Sequence, residues 1–418
     1  MTANAFGTML PELLTDIPGP RSRELGKRLR IVESPNITAL QPPPIFWTEA
    51  HGANVRDADD NIFIDLTSGF GVATAGHSND AVVRAIAEQA QRLPHALGDV
   101  YPADVKVLLL ERLAQILPDP LSVSILASSG AEAVEAALKT ALMRTGHAGV
   151  LAFNNSYHGL TYGALAATHR SHFRAPFEQQ LFSDVYFASF DLNEVDTLLD
   201  CHDIGAVIIE PIQGRGGIIM PPDNFLSELR DRCDGKNRVL IFDEIYTGCG
   251  RTGRWLACEN WNVIPDVVVI GKGLSGALPI SACVGSPEVM SAWPESTGEA
   301  IHTSTFLGNP VACAAALAQL DAIEGLLVRA GEIGEFIGVW AEENRLECRG
   351  MGVIKGIVLK SGELAIEACG RCMREGVLML AEGPDLNVLA ITPPLVITGE
   401  QLSFALERIA VILSRLNP

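Results

Sequence analysis

The sequence lacks an excess of basic residues, because 31 lysines and arginines stand against 50 aspartates and glutamates and the formal net charge is −19. Nucleic acids and anionic membrane surfaces are bound through positively charged faces, so this balance argues against both as partners. No stretch reaches the ~18 apolar residues of a membrane helix, and residues 1–16 lack the basic start and apolar run of a secretion signal. The acidity is therefore read as favouring solubility.

Disulfide and metal-site patterns are lacking as well. The nine cysteines are scattered and odd in number, which predicts free thiols and a cytoplasmic location. Cys369 and Cys372 form one C-x-x-C inside a helix-like stretch, where two cysteines on one face favour a core role over a redox role. The nine histidines show no H-x-x-x-H spacing, so no metal site is predicted.

From about residue 80, helix-like and strand-like segments alternate. The predicted strands are continuous apolar runs, typical of strands buried on both faces: Val123–Leu126, Val150–Phe153, Ala206–Ile209, Val239–Phe242 and Val267–Ile270. The predicted helices in the first part of this region are Ala81–Leu93, Val105–Leu117 and Ala131–Arg144. This alternation predicts an α/β fold with an open, mostly parallel sheet flanked by helices.

The two ends of the chain are predicted to form a smaller α+β domain. The division is 1–59 for an N-terminal arm and part of the small domain, 60–310 for the large domain, and 311–418 for the C-terminal small domain. Pro42–Pro44 is predicted to close an irregular arm. Further predicted elements are strands at Gly52–Arg56, Ile62–Leu66, Gly356–Leu359 and Val388–Thr392, and helices at Val311–Glu324, Glu363–Glu375 and Glu400–Leu416.

Polar residues follow five of the predicted strands at the point where each strand ends. They are Ser128–Gly130, Asn154–Gly159, Glu210–Gln213, Asp243–Glu244 and Gly271–Gly273. The carboxyl ends of strands in an open α/β sheet meet at one edge, and ligands bind there. Five clusters together predict a binding site at this edge.

Lys272 comes directly after an apolar strand, where desolvation would lower the pKa of its amine. A partly neutral lysine is a nucleophile toward aldehydes and forms Schiff bases, although taken alone a surface lysine in a glycine-rich turn fits the local sequence better. Asp243 ends another core strand, and a carboxylate there needs a cationic partner such as a protonated pyridine nitrogen. Its alternative is a structural aspartate capping a loop.

Ser129 and Glu132 match a capping box at the start of a helix. The backbone amides of Gly130 and Ala131 then point from the helix N-terminus and offer an anion site, although a plain helix cap explains the local sequence equally well. The helix start offers a phosphate-binding cup, Asp243 offers a carboxylate to a ring nitrogen, and Lys272 offers an amine to an aldehyde. Phosphate, ring nitrogen and aldehyde are the three groups through which pyridoxal 5'-phosphate can be bound.

One motif matches a dinucleotide-binding pattern but lacks the structural context of such a site. Residues 248–253 match G-x-G-x-x-G, but five residues separate them from the preceding strand and no convincing helix follows. A dinucleotide fingerprint needs both neighbours, so nicotinamide binding is not predicted.

The chain resembles the class III (omega) aminotransferases of fold type I from about residue 45 to residue 398. The resemblance is carried by long blocks in the family's order: Thr67–Val72, SSGAEAVEAALK (128–139), SYHG (156–159), EPIQG (210–214), DEIYTGCGRTG (243–253), GKGLSGALPISA (271–282), HTSTFLGNP (302–310) and ITPPLVIT (391–398). It implies the reaction of the family, in which an amino group moves between an amine or amino acid and a keto or aldehyde acceptor.

The resemblance also implies residue roles. Lys272 would carry the cofactor as a Schiff base and shuttle the proton, Asp243 would pair with the pyridine nitrogen, Tyr157 would stack on the ring, and His158 would lie beside it. Tyr246 replaces the glutamine that the family commonly has, and its hydroxyl would bond the phenolic oxygen of the cofactor.

Further roles concern the phosphate and the substrate. The cup at Ser129, Gly130 and Ala131 would bind the phosphate through its amides. Thr305 would reach the phosphate of the neighbouring subunit's cofactor, which implies a homodimer with shared active sites. Residues on the substrate side would be Glu210, Gln213, Phe70 and Arg215.

Two other positions depart from the family pattern. Leu307 makes the loop near the phosphate bulkier than the usual S-T-F-G-G-N-P. Ala390 stands where many members have an arginine that binds the α-carboxylate, and a carboxylate is held best by a bidentate arginine. Either Arg215 compensates, or the substrate is an amine, amino sugar or lactam without that carboxylate.

Transamination is the leading prediction, and two alternatives stay open at this stage. A racemase or epimerase of the same family would return the proton to the same carbon. A non-enzymatic relative of the fold is a further reading, against which the joint presence of Lys272 and Asp243 argues.

Overall fold

A large sheet of seven strands forms the centre of the computed structural model, which describes residues 6–40 and 44–416. Pro42 and Pro43, part of the predicted end of the arm, lie outside the described residues. The strands of the sheet are β4 (Val123–Ala127), β5 (Gly149–Phe153), β6 (Val185–Ala188), β7 (Ile204–Ile209), β8 (Val239–Asp243), β9 (Val267–Ile270) and β10 (Ser281–Gly285). Their order is β4-β10-β9-β8-β7-β5-β6.

Five neighbouring strands of this sheet, β9 to β6, are parallel. The strand β10 is antiparallel to both of its neighbours, β4 and β9, so β4 runs in the same direction as the five. The carboxyl ends of the five predicted strands therefore meet at one edge. The predicted α/β class with a mostly parallel sheet is confirmed. The strands β6 and β10 were not among the predicted strands.

Helices cover both faces of the sheet, as continuous apolar strands require. Alternate residues of one strand point to opposite cores, so Val207 and Ile209 join one cluster while Ala206 and Ile208 join the other. The first core contains residues of α4 (Asp104–Ile116), α8 (Leu192–Cys201), α9 (Phe225–Lys236) and α11 (Pro310–Glu324), and α3 (Asp80–Arg92) packs on α11. The second contains residues of α5 (Gly130–Thr145), α6 (Tyr162–Ala167) and α10 (Pro287–Met290).

The N-terminal arm contains a helix that the sequence reading missed. The helix α1 (Pro20–Val32) corrects the expectation of an irregular arm. Only Ser22 and Gly26 are buried in it, so no apolar stripe marks it in the sequence. The Asp59 carboxylate accepts bonds from the backbone N–H groups of Arg21 and Ser22 at 2.7 and 2.8 Å and so caps its first turn.

A second sheet joins the two ends of the chain. It has the order β1-β2-β3-β13 and contains β1 (Trp47–His51), β2 (Asn54–Asp57), β3 (Ile62–Asp65) and β13 (Val377–Leu378). The predicted boundary between residues 59 and 60 falls in the turn between β2 and β3, two paired strands of this sheet. The short helical turn α2 (Ser68–Gly71) follows β3 and leads to the large sheet.

The C-terminal part forms a third sheet packed on helices. The antiparallel sheet has the order β11-β12-β15-β14 and contains β11 (Glu347–Met351), β12 (Ile354–Val358), β14 (Leu380–Glu382) and β15 (Val388–Ile391). Its helices are α12 (Leu327–Glu343), α13 (Gly362–Arg374) and α14 (Gly399–Leu416). The remaining elements are α7 (Ser171–Arg174) and 3-10 turns at Ala175–Gln180, Ala257–Trp261 and Lys272–Leu274.

Within the described residues, no single helix has the length and apolar composition needed to cross a membrane, although the bent pair α11 and α12 meets both criteria when the two are taken together.

Candidate active site

A cavity of about 300 Å³ opens at the edge where the predicted clusters meet. It is lined by residues that follow β4, β5, β7, β8 and β9: Gly130, Ala131, Tyr157, His158, Gly159, Leu160, Glu210, Arg215, Asp243, Ile245, Tyr246 and Lys272. The topology therefore brings together nine of the residues predicted from the sequence.

Lys272 follows β9 and begins a 3-10 turn with a φ of +43°, in the left-handed region that few non-glycine residues adopt. Its Nζ lies 4.6 Å from the centre of the Tyr246 ring. No ion pair of Lys272 occurs among the described residues. Burial is the main reason why the pKa of this amine falls to about 8, and the charge of Arg251 lowers it further.

Asp243 ends β8 and is 3% exposed. One carboxylate oxygen lies 2.7 Å from Nδ1 of buried His158, and the other accepts the backbone N–H of Ile245 at 3.1 Å. Nε2 of His158 is buried and finds no hydrogen-bond partner among the described residues. The imidazole thus fixes the direction of the carboxylate, and each oxygen keeps a lone pair for a further donor.

The cup at the start of α5 has the predicted cap. The Ser129 hydroxyl accepts the N–H of Glu132 at 3.2 Å, while the Glu132 carboxylate accepts the N–H of Ser128 at 2.7 Å, one residue before the position that a capping box uses. Ser129 is exposed and lies outside the cavity lining. Gly130 and Ala131 line the cavity, and N–H groups in the first turn of a helix have no partner within the helix.

Glu210 and Gln213 are placed differently from the expectation that both face the substrate. Both Glu210 oxygens accept backbone N–H groups, from Tyr157 at 2.9 Å and Gly214 at 3.1 Å, and burial raises the pKa of its carboxyl to about 7. Glu210 lies in the cavity with Asp243. Gln213 is 1% exposed, donates to the carbonyl of Asn154 at 2.7 Å and lines neither cavity, because this bond turns its amide toward the β5 loop.

A second cavity of about 290 Å³ adjoins the first and shares four of its residues: Tyr157, Arg215, Tyr246 and Lys272. Its other walls are Leu66, Thr67, Phe70, Gly214, Leu380, Glu382, Ala390 and Thr392. Lys272 is thus accessible from both cavities, as an amine acting between a cofactor and a substrate has to be.

Arg215 and Glu382 are the oppositely charged groups of this second cavity. Arg215 Nε lies 3.9 Å from a Glu382 oxygen and has no hydrogen-bond partner in the part of the chain that the structure describes. The guanidinium stacks over Tyr157, with Cζ 4.7 Å from the ring centre, and lies 6.0 Å from the centre of Phe70. Burial raises the pKa of Glu382, and Arg215 opposes that shift. The pair is loose, so the guanidinium retains donors for another anion.

Tyr246 borders both cavities. Its hydroxyl lies 2.8 Å from Oγ1 of Thr392, and burial raises its pKa. Thr392 and Ala390 line the same cavity from one face of β15 and its end. This hydrogen bond engages the hydroxyl, so the expected bond from Tyr246 to the cofactor has a competitor inside the protein.

Thr305 lines neither cavity of its own chain and is exposed. Its loop packs on the segment before α4, since the Thr303 hydroxyl donates to Asp99 at 3.0 Å and the Phe306 ring lies 5.5 Å from His95. The structure therefore does not bring Thr305 to the site of its own subunit.

The residues that line the first cavity suit the three binding groups of pyridoxal 5'-phosphate. A lysine with a lowered pKa suits an aldehyde, a carboxylate with free lone pairs suits a protonated ring nitrogen, and first-turn amides suit a phosphate. The unpartnered Nε2 of His158 is a buried polar atom on the same wall. Among the described residues, no group of three or more potential ligands could hold a metal ion.

Glu382 and Thr392 belong to the site but were missed by the sequence reading. Glu382 lies on a strand of three residues with no periodicity, and the pairing of Leu380 with Ala390 brings that strand to the pocket. Thr392 stood inside the ITPPLVIT block, and its spacing of two residues from Ala390 was the available signal.

Comparisons with known proteins place the chain in a family. The family model for class III aminotransferases matches residues 37–413. The acetylornithine aminotransferase of Methanosarcina mazei is 36% identical over 87% of this chain and 90% of its own length. The 4-aminobutyrate aminotransferase of Mycobacterium leprae is 36% identical over 96% of this chain and 98% of its own length.

Among solved structures, the ornithine aminotransferase of Toxoplasma gondii is 29% identical, with a TM-score of 0.87, and the match covers 94% of this chain and 95% of that one. These relatives are aminotransferases, so the racemase alternative is not favoured. The chain belongs to the class III aminotransferase family and is a pyridoxal-phosphate-dependent transaminase.

Proposed function

We propose that this transaminase attaches its cofactor through Lys272, as a Schiff base, and takes amino donors whose amine is remote from any carboxylate. The proposed class of amino donors rests on Ala390. This small neutral residue lines the second cavity at the position where the family resemblance expects an arginine. When bound, the cofactor supplies an electrophilic carbon and an electron-accepting ring.

The roles within the chain follow from its contacts. Lys272 Nζ would remove the proton from the amine-bearing carbon of the donor and deliver it to the cofactor side, because its lowered pKa leaves a sizeable neutral fraction near neutral pH. Asp243, which His158 orients at 2.7 Å, would accept the N–H of the ring. Gly130 and Ala131 would hold the phosphate through their amides, and Tyr157 would lie against the ring. Positioned proton transfer is typically worth ~10²–10⁴-fold in rate.

The second cavity supports the donor class. Its walls at Leu66, Leu380 and Ala390 are apolar, and Arg215 and Lys272 are the cations among the lining residues. Arg215 is available to a carboxylate of the substrate or of the keto acceptor, and Glu382 competes with that carboxylate for it. Acetylornithine, 4-aminobutyrate and ornithine, named for the relatives, each carry an amine at the end of a chain remote from a carboxylate.

A half-reaction screen tests the donor class. Amines are added singly to the holoenzyme, and bleaching of the visible band of the lysine-bound cofactor is followed by stopped-flow absorbance. We expect diamines, amino sugars and ω-amines to bleach the band at least about tenfold faster than glutamate, because a lost bidentate pair is worth a few kcal/mol.

Two variants control this screen. Ala390→Arg is expected to speed the glutamate reaction and to leave short diamines without gain, since the guanidinium enters an open apolar cavity. Arg215→Leu is expected to slow every donor or acceptor that carries a carboxylate. Bleaching by glutamate at a rate equal to or above that of the ω-amines would refute the donor class while leaving transamination intact.

The active enzyme is proposed to be a homodimer with shared sites. Large apolar side chains are exposed near the Thr305 loop, including Ile301 at 67%, Phe306 at 63% and Tyr101 at 73%. Exposed apolar patches of this kind mark protein interfaces. The exposed Thr305 is then placed to contact the phosphate in the partner subunit.

Subunit mixing tests the shared site. Lys272→Ala and Thr305→Glu homodimers should each lack most of the visible band, the first because it lacks the amine and the second because a carboxylate repels the phosphate. Co-folded mixtures should recover about a quarter of the wild-type band, because random pairing gives one native site in half of the dimers. Absence of recovery in a dimeric mixture, or a monomeric wild type in sedimentation, would contradict the arrangement.

We also propose that the enzyme resides in the cytoplasm and works without a membrane or nucleic-acid partner. The nine free cysteines and the net charge of −19 support this. Cell fractionation with an antibody to the chain would test it, and recovery in a membrane or secreted fraction would count against it.

A further inference from the structure

Arg251 is a buried arginine that forms no ion pair with any described residue. It is 1% exposed and is one of the largest fully buried side chains. Its Nη1 donates to the carbonyl of Gly248 at 2.7 Å, while Nε and Nη2 find no hydrogen-bond partner among the described residues. None of the ion pairs within residues 6–40 and 44–416 includes it. A buried cation without a carboxylate is costly, so its presence calls for an explanation.

The position of Arg251 joins two loops of the site. A Cβ at Gly71 would lie 3.1 Å from Nη2, and a Cβ at Gly273 would lie 3.0 Å from Nη1 and Nη2. The guanidinium therefore packs closely against the loop that carries Phe70 and against the turn that carries Lys272. Gly71 has a φ of +76° as well, so a side chain there would be both crowded and strained.

The two cations share one aromatic ring. Arg251 Cζ lies 5.9 Å and Lys272 Nζ lies 4.6 Å from the centre of Tyr246. With little water between buried groups, a fixed charge at such range acts strongly on the protonation of the amine. Arginine stays charged at neutral pH, so its effect does not vary over the working range of the enzyme.

We propose that Arg251 is a positioning residue for Lys272: its unpaired charge opposes protonation of the amine, and its packing against Gly71 and Gly273 fixes the turn from which the amine projects. This rests on the role proposed for Lys272. The direction of the Lys272 pKa, which Arg251 lowers after burial, agrees with the geometry. A neutral amine is the form that attacks a carbonyl carbon and accepts a proton.

Charged side chains from the neighbouring loops also act on the protonation of Lys272. Asp243 and Glu210 favour the protonated amine, Arg215 opposes it, and Lys272 in turn lowers the pKa of Glu382. Arg215 has a loose acidic partner in Glu382 at 3.9 Å, whereas Arg251 has no acidic partner among the described residues. The shift of the amine toward its neutral form therefore comes from burial first, then from Arg251, with a smaller contribution from Arg215.

The proposed experiment measures the protonation of the Lys272 amine through its rate of acetylation. The full-length chain is freed of cofactor, labelled with a trace of acetic anhydride from about pH 6 to pH 10, and the Lys272 peptide is quantified by mass spectrometry against exposed lysines. We expect Arg251→Gln and Arg251→Met to slow labelling of Lys272 at pH 7 on the order of tenfold and to shift its titration to higher pH. Arg251→Lys, which keeps the charge, should retain most of the wild-type profile.

Controls separate this role from stability and from the proposed function. Arg230→Gln removes another mostly buried guanidinium, paired with Asp266 at 2.9 Å and outside both cavities, and should leave the Lys272 titration unchanged. An unchanged profile in folded Arg251→Gln, or folding lost in both neutral variants while Arg251→Lys folds, would overturn the inference. Cofactor trapped on a different lysine would instead defeat the proposed function, whereas the labelling shift reports only on Arg251 and Lys272.

Discussion

Lys272→Ala should abolish the visible band of the bound cofactor and reduce transamination on the order of 10³-fold or more, because it removes both the attachment point and the base. The variant is expected to fold, since Lys272 makes no ion pair in the described residues and its burial opposes its charge. Absorbance of the purified protein, single-turnover kinetics and thermal unfolding measure the three parts of this result.

A matched control is Lys236→Ala, which removes a lysine paired with Asp200 outside both cavities. Its band and turnover should equal those of the wild type. Borohydride reduction of the holoenzyme followed by peptide mapping should place the adduct on Lys272. Trapping on another lysine would overturn the assignment.

The wild type and Lys272→Ala should also differ in how the free energy of unfolding depends on pH. The folded pKa of about 8 lies below the ordinary value of 10.5, so between these values the unfolded chain binds a proton that the folded chain does not. Stability of the wild type should therefore rise with pH through this window relative to Lys272→Ala, and the difference should be flat below it. Urea unfolding of both cofactor-free proteins across the window measures this, and parallel curves would contradict the lowered pKa.

Asp243→Asn should lower the rate of the half-reaction by about 10²–10⁴-fold, as expected when one member of a buried ionic pair is neutralised. The amide keeps the shape of the side chain and an oxygen that can accept from His158, which lies 2.7 Å away in the wild type. The carbonyl lacks the charge that keeps a ring nitrogen protonated. Stopped-flow absorbance with a fast donor measures the rate.

The control for this second change is Asp57→Asn, since Asp57 is fully buried, bonds Asn61 and lines neither cavity. It should cost stability and leave the half-reaction rate of the folded enzyme near the wild-type value. Equal rate losses in both variants would show that Asp243 acts through the fold and not on the cofactor.

The strands of the large sheet were predictable because their residues are apolar without a break. Five predicted strands match β4, β5, β7, β8 and β9 within about two residues, the usual uncertainty of element ends. The strand β6 is half-buried and β10 has small residues, so neither presents a strong apolar run. The antiparallel pairing of β10 with β4 and β9 was missed because the strand itself was not predicted.

The site was predicted in part for the same reason. Lys272, Asp243, Glu210 and Tyr157 follow strand ends that any parallel sheet brings to one edge. Gln213 follows such an end too, but its hydrogen bond to the carbonyl of Asn154, 59 residues earlier in the chain, turns its side chain away, and a contact between such distant residues has no sequence pattern.

By itself, the sequence determined the fold class, the family and the cluster of residues at the edge of the sheet, because apolar runs and motif blocks are local properties of the chain. Only the tertiary structure decided that Glu382 faces Arg215, that Tyr246 borders both cavities, and that Arg251 lies near the lysine without an ion pair among the described residues. These contacts join segments far apart in the chain. Their distances, burial and missing partners are set by packing in three dimensions, which no local pattern of residue types encodes.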